Sequence, residues 1–166
     1  LKLKYLLGVF SIVALFVIGY YFSNSVTQAN TYNDRLPVFV HEDSEQIIHK
    51  LVRKKEGIYY FGFPTCPWCV ELLPVFNEVL SEHKKTAFVV NVRDKNYTNR
   101  QNGILEKFYK QYTGEDGLSV PFVVAIDKNA NVKVHVGTVD DHDASKKRLT
   151  SVQKEELINV LSDLIR

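Results

Sequence analysis

Ile58-Tyr59-Tyr60-Phe61-Gly62-Phe63-Pro64-Thr65-Cys66-Pro67-Trp68-Cys69 is the stretch whose reading decides the fold. Its apolar start, Ile58 to Phe61, reads as a buried strand. Pro64 and Pro67 then break the chain before Val70 to Leu80, where apolar positions recur at helical spacing. A strand, a turn and a helix in that order put Cys66 at a helix N-terminus. Unpaired backbone N–H groups and the positive end of the helix dipole favour a thiolate there. C-x-x-C cysteines so placed have pKa values of roughly 3.5–7.5 instead of about 8.5. Cys66 is therefore the expected nucleophile. Cys69, one helical turn later and facing inward, is positioned to attack a mixed disulfide made by Cys66.

These are the only two cysteines in 166 residues. Other readings of the pair exist. A structural zinc site needs four ligands, so His41, His49, His83, His135 or His142 would have to complete it. A purely structural disulfide would close a very small ring, which constrains the unfolded chain less than a long loop does. Trp68 lies between the cysteines on what should be an exposed turn, where it serves either as a packed aromatic or as a substrate contact.

The likeness of the chain to a known family begins at this motif and extends past it. From about Leu36 to Arg166 the sequence resembles the thioredoxin-like family of thiol–disulfide oxidoreductases. Cys66-Pro67-Trp68-Cys69 matches the family's active-site pattern, with a proline and an aromatic between the cysteines as in glutaredoxin-type motifs. Pro74 matches the proline that kinks the active-site helix in thioredoxins. Val120-Pro121, followed by the strand Phe122 to Asp127, is similar to the family's cis-proline loop, which lies against the redox pair. Gly137, after Val132 to Val136, resembles the glycine closing the next strand. The resemblance implies that Cys66 and Cys69 are catalytic and that Pro67, Trp68, Val120 and Pro121 contact the substrate, with no metal and no cofactor. Read without the family, Pro121 is either a cis bend that frees the Val120 backbone to pair with an extended peptide or an ordinary trans proline opening a strand.

One position departs from the pattern. Thioredoxins carry a buried acid six residues before the first active-site cysteine, and here that position is Tyr60. Glu71, two residues past Cys69, is expected to be an exposed helix side chain. The proton acceptor for Cys69 is thus unassigned. Pro67 and Trp68 supply no cation to Cys66, which implies a redox potential between those of strong reductants and strong oxidants. Val120 is the residue type found before the proline in many disulfide oxidases, so the resemblance leans toward oxidation.

The amino-terminal part of the sequence bears on location. Lys2 and Lys4 precede an uncharged apolar run, Tyr5 to Phe22, and no charge recurs until Asp34. As a helix rising about 1.5 Å per residue, the run would span about 27 Å, close to the roughly 30 Å hydrocarbon core of a bilayer. Tyr5, Tyr20 and Tyr21 mark its two ends and the lysines mark a cytoplasmic side. The expectation is a membrane anchor over residues 1–22, a polar tether over 23–35 and one thioredoxin-like domain over 36–166. A signal peptide cleaved near Ala29 is the competing reading, though the run is longer than an ordinary signal core. Lys and Arg total 21 against 19 Asp and Glu, so setting aside Lys2 and Lys4 leaves a formally neutral remainder with no call for nucleic acid.

The rest of the chain reads as strand, helix, strand, helix, strand, helix, strand, strand, helix. Pro37 to Val40 is the first strand, and Asp43-Ser44-Glu45-Gln46 opens a helix expected to run to about Lys55. Ile104, Leu105, Phe108, Tyr109 and Tyr112 form the apolar stripe of another helix. Thr150 and Gln153 cap the last, which should bury Leu157, Leu161, Leu164 and Ile165. Asp140-Asp141-His142-Asp143 reads as a solvated turn in preference to a metal site. The expected class is α/β, a central mixed sheet flanked by helices and preceded by one transmembrane helix. The whole layout is most like membrane-anchored bacterial thioredoxin-like proteins associated with bacteriocin export. That likeness implies cysteine-containing secreted proteins or peptides as substrates and a redox partner protein. The competing expectation is a non-catalytic export accessory that uses the same groove to bind a peptide.

Overall fold

The computed structural model describes residues 31–166, and the expected anchor, with the tether as far as Asn30, lies outside them. Five strands, β1 (Phe39–Val40), β2 (Gly57–Gly62), β3 (Ala87–Asn91), β4 (Phe122–Ile126) and β5 (Val132–Val136), form one sheet in the order β1-β3-β2-β4-β5. β2 runs parallel to β3 and antiparallel to β4, so the sheet is mixed with β2 at its centre. The helices are α1 (Ser44–Val52), α2 (Pro67–Glu82), α3 (Asn99–Thr113) and α4 (Ser151–Ile165). The order of elements is the one expected, and the arrangement fits a thioredoxin-like α/β fold.

β2 is apolar throughout because both of its faces are covered. Ile58 and Tyr60 face a core shared with Leu72, Phe76, Val79 and Leu80 of α2 and with Leu157, Leu161 and Ile165 of α4. Tyr59 and Phe61 face the other way, into Ile47 and Leu51 of α1 and Leu105, Phe108 and Tyr109 of α3. The alternation of side chains along the strand thus divides the interior into two layers. Tyr32 and Leu36 pack against the first layer.

Both α3 and α4 begin with reciprocal capping boxes, Thr98 with Gln101 and Thr150 with Gln153. At α1 the Asp43 carboxylate accepts from the backbone N–H groups of Glu45 and Gln46. That helix stops at Val52, short of the expected Lys55. Lys54 adopts a left-handed backbone with φ 51° and donates to the Leu51 carbonyl, while Lys55 donates back to Lys50. This closure satisfies the last carbonyls and turns the chain. The basic run Arg53-Lys54-Lys55 therefore occupies the turn and not the helix end. Among the described residues no helix is long and apolar enough to cross a membrane.

Candidate functional site

The C-terminal end of β2 delivers the chain into the turn Phe63 to Thr65, and Cys66 is the N-cap of α2. Its backbone N–H donates to the Phe63 carbonyl (3.2 Å), and its carbonyl accepts the first helical bond from Val70 (3.0 Å). The Cys66 sulfur takes the usual place of a capping oxygen, accepting from the Cys69 backbone N–H at 3.2 Å. Pro67 stands at the first helical position, where its missing N–H costs nothing. Both cysteines are free thiols. Cys69 is fully buried, and Cys66 is only 4 % exposed, more covered than a turn position suggested.

What covers Cys66 is the segment before β4. The Val120–Pro121 peptide bond is cis, and the Cys66 thiol lies 3.6 Å from the Val120 carbonyl, toward which it donates. Val120 is half-buried and Pro121 buried. Gly137, at φ 75°, turns the chain after β5 so that its N–H donates to the Pro121 carbonyl at 2.9 Å, a backbone conformation that suits glycine. Residues far apart in sequence thus meet around one sulfur, and Cys66, Cys69, Val120 and Pro121 are brought together. Pro67 points to solvent. Trp68 is half-buried, and its indole N–H donates to the His142 carbonyl at 3.3 Å, which fixes the ring beside the turn.

The two thiols are driven apart in proton affinity. Hydrogen bonding from the Cys69 thiol lowers Cys66 most, helped by the backbone N–H groups of Cys69 and Trp68 and by the Arg93 cation. Against the opposing pull of burial, Cys66 falls from 9.0 to about 7. Cys69 is held well above the usual thiol range, first by sharing its proton with the Cys66 sulfur and then by burial. One sulfur is an available thiolate near neutral pH while the other keeps its proton.

Several residues that matter here were not legible in the motif. Arg93 lies over the Phe63 ring at 3.7 Å and is the cation that Pro67 and Trp68 do not provide. Glu71 is 2 % exposed, contrary to the expected solvent-facing position. Its Oε1 accepts from Arg148 at 2.5 Å and its Oε2 from the Leu149 backbone N–H at 3.0 Å, so the carboxylate is committed to the segment before α4. The 140–143 stretch differs as well, because His142 is buried within it. A carbonyl can only accept, so His142 Nε2–H donates to Lys147 (3.0 Å), and Nδ1 accepts from the Thr138 hydroxyl (2.7 Å). Asp143 instead faces outward, accepting from Ser145 and pairing with Lys146. Among the described residues, no three His, Cys, Asp or Glu side chains are grouped to hold a metal ion.

A cleft of about 370 Å³ opens beside Trp68, lined also by His135, Gly137, His142 and Glu156. A larger cavity of about 640 Å³ lies at the opposite end of β2, lined by Gly57, Lys84, Lys85, Lys133 and Arg166 and remote from the cysteines.

No protein-family model and no curated protein matches the chain. Among solved structures it is similar to one described as a proposed oxidoreductase with a thioredoxin fold, at 16 % identity and a TM-score of 0.44, over 71 % of this chain and 94 % of that one. That likeness is too distant to carry an activity across.

Proposed function

We propose that the protein is a thiol–disulfide oxidoreductase, tethered to a membrane and facing away from the cytoplasm, that acts through Cys66 and Cys69 on cysteines of secreted proteins or peptides. One observation carries the chemistry: a C-x-x-C pair at a helix N-terminus whose outer sulfur ionises at about 7 while the inner one holds its proton. A structural disulfide or a closed metal site has no use for that difference. The location and the secreted substrates rest on the charge and hydropathy pattern of residues 1–22 and on the resemblance of the sequence.

In the reducing direction, the Cys66 thiolate attacks a disulfide of the substrate. A bond forms between Cys66 and one substrate sulfur, and the other substrate sulfur leaves as a thiolate that takes a proton from solvent. Cys69 then attacks Cys66, the Cys66–Cys69 disulfide forms, and the bound substrate sulfur departs as a thiol. The dithiol has lost two electrons and two protons to the substrate. The reverse sequence donates a disulfide. The Val120 carbonyl, set beside Cys66 by the turn before β4, is placed to accept an N–H from an extended substrate backbone.

The test uses the full chain with two assays, turnover of an aromatic disulfide in the presence of excess glutathione and oxidation of a reduced, unfolded secreted protein. Wild type should be active in at least one, Cys66→Ser inactive in both, and Cys69→Ser should accumulate a Cys66-linked mixed disulfide. A Cys66→Ser, Cys69→Ser chain that keeps its full biological effect would instead support a peptide-binding accessory.

A further inference from the structure

Tyr60 ends in a hydroxyl with no partner in close hydrogen-bond geometry among the described residues, although the residue is fully buried, and looser contacts with Cys69 and Tyr32 reach it. An unpaired buried hydroxyl is costly, and a ring that only filled space would be better as phenylalanine. Its surroundings show what it faces. A Cβ placed on Gly62 would overlap the Tyr60 hydroxyl and would lie 3.0 Å from the Cys69 sulfur, so hydroxyl and sulfur flank the same bare glycine. The hydroxyl and Cys69 also perturb each other: Tyr60 opposes the rise at Cys69, and Cys69, after burial, raises Tyr60. Tyr32, whose hydroxyl likewise has no close partner among the described residues, stands beside Tyr60 and interacts loosely with it.

We propose that the Tyr60 hydroxyl is a positioning hydrogen-bond donor for the Cys69 sulfur in the step that resolves the mixed disulfide, with Tyr32 in turn donating to the Tyr60 oxygen. The assignment rests on the oxidoreductase reading above. While Cys66 is a thiolate it accepts a hydrogen bond from the Cys69 thiol and so keeps Cys69 protonated. Once Cys66 is bonded to substrate, its sulfur carries no charge and that hold disappears. Cys69 must then become a thiolate at a fully buried position, where the Phe63 backbone and Tyr60 are the groups that favour the ionised form. Tyr60 cannot be the base, because burial first and then Cys69 keep its own proton on. Glu71 is not free to act either, as both of its oxygens are occupied by Arg148 and Leu149. The titratable and charged groups on this pocket are thus Cys66, Cys69, Tyr32 and Tyr60, with Asp34 acting on Tyr32 and Arg93 on Cys66.

The step balances without another reactant. Cys69 gives up its proton and attacks Cys66, the Cys66–Cys69 bond forms, the bond from Cys66 to the substrate sulfur breaks, and the released proton ends on that departing sulfur. Tyr60 keeps its proton throughout and only shares it with the developing thiolate.

A single kinetic trace separates the two sulfurs. The reduced full chain mixed with 5,5′-dithiobis(2-nitrobenzoate) releases one chromophore when Cys66 attacks the reagent and a second when Cys69 resolves the adduct. Tyr60→Phe should leave the first phase within about twofold of wild type and slow the second about tenfold, with the apparent pKa of the second phase raised by about one unit. Tyr32→Phe should show a smaller slowing of the second phase alone. A second phase with wild-type rate and pH profile in Tyr60→Phe overturns the assignment while leaving the oxidoreductase reading intact. If wild type shows no first phase, both readings fall. The substitution deletes an atom with no close hydrogen-bond partner among the described residues, so a Tyr60→Phe chain that failed to fold would show the hydroxyl to be structural and would also overturn the assignment.

Discussion

Cys66 and Cys69 are chemically identical side chains three positions apart, and what separates them is which one the backbone serves. Cys66 receives N–H groups from the first turn of α2, whereas Cys69 is fully buried and donates its S–H as a hydrogen bond to the Cys66 sulfur while keeping the proton. The difference has a consequence for stability of the reduced chain. Cys66 falls from 9.0 unfolded to about 7 folded. Between those values the unfolded chain binds more protons than the folded one, so stability rises with pH, is fully present above about 9, and is lost as pH falls through about 7. Cys69 has the opposite sign: its folded pKa lies above 9.0, so above that pH the unfolded chain loses a proton that the folded chain keeps, and stability declines. Tyr32, Tyr59, Tyr60 and Tyr97, all raised by burial, add to the decline above about 10. Urea unfolding under reducing conditions should therefore show a gain of about 1–2 kcal/mol from pH 7 to pH 9 and a fall beyond it. Cys66→Ser should abolish the gain. A wild-type curve flat across that interval would mean that Cys66 is not held as a thiolate.

The helix that carries the pair is fixed to the rest of the molecule by a tie on its first turns. Glu71 sits on the buried side of α2 and binds both Arg148, which is mostly solvent-exposed, and the backbone ahead of α4. Breaking the tie from the two ends should differ in cost. Arg148→Ala leaves a buried carboxylate without its cation and should lower stability by about 1–3 kcal/mol, whereas Glu71→Gln keeps an acceptor for Leu149 and removes the buried charge, costing about 1 kcal/mol or less. Equal losses in urea midpoints would refute a buried-charge origin. The same element shows why parts of this protein were legible in sequence and parts were not. The apolar run of β2, the capping pair Thr150 and Gln153, and the inward set Leu157, Leu161, Leu164 and Ile165 are local patterns, and each appears where periodicity placed it. Glu71 looks like any helix glutamate because its partners lie 77 and 78 positions away. Arg93 was hidden for the same reason, since it acts on Phe63 and Cys66 from a different strand's end, whereas the His142 ring is held by Thr138 and Lys147 within its own loop, where no residue pattern announces the burial. The end of α1 was missed on a different ground, since a lysine in a left-handed turn carries no sequence signal of the kind a glycine gives.

At the scale of the whole chain, a formally neutral domain carrying Cys66 and Cys69 follows an apolar run preceded by two lysines, and the proposed location depends on which way that run is read. A cytoplasmic amino end and an outward domain would expose the dithiol to a compartment in which disulfides persist. The cysteine count makes this testable with little ambiguity, because Cys66 and Cys69 are the only thiols in the chain. Intact cells producing the full chain, treated with a membrane-impermeant phosphine and then with a membrane-impermeant maleimide, should yield the labelled protein. The Cys66→Ser, Cys69→Ser chain should yield none. Burial of both sulfurs slows the reaction but leaves Cys66 the faster site, since it is the thiolate near neutral pH and Cys69 is not. The membrane fraction should retain the label after a salt wash if the run anchors the chain, and the label should appear in the medium or the soluble extracytoplasmic fraction if the run is removed near Ala29. Labelling seen only after lysis would place the dithiol in the cytoplasm. In that compartment glutathione and thioredoxin keep thiols reduced, and the oxidising direction would be lost.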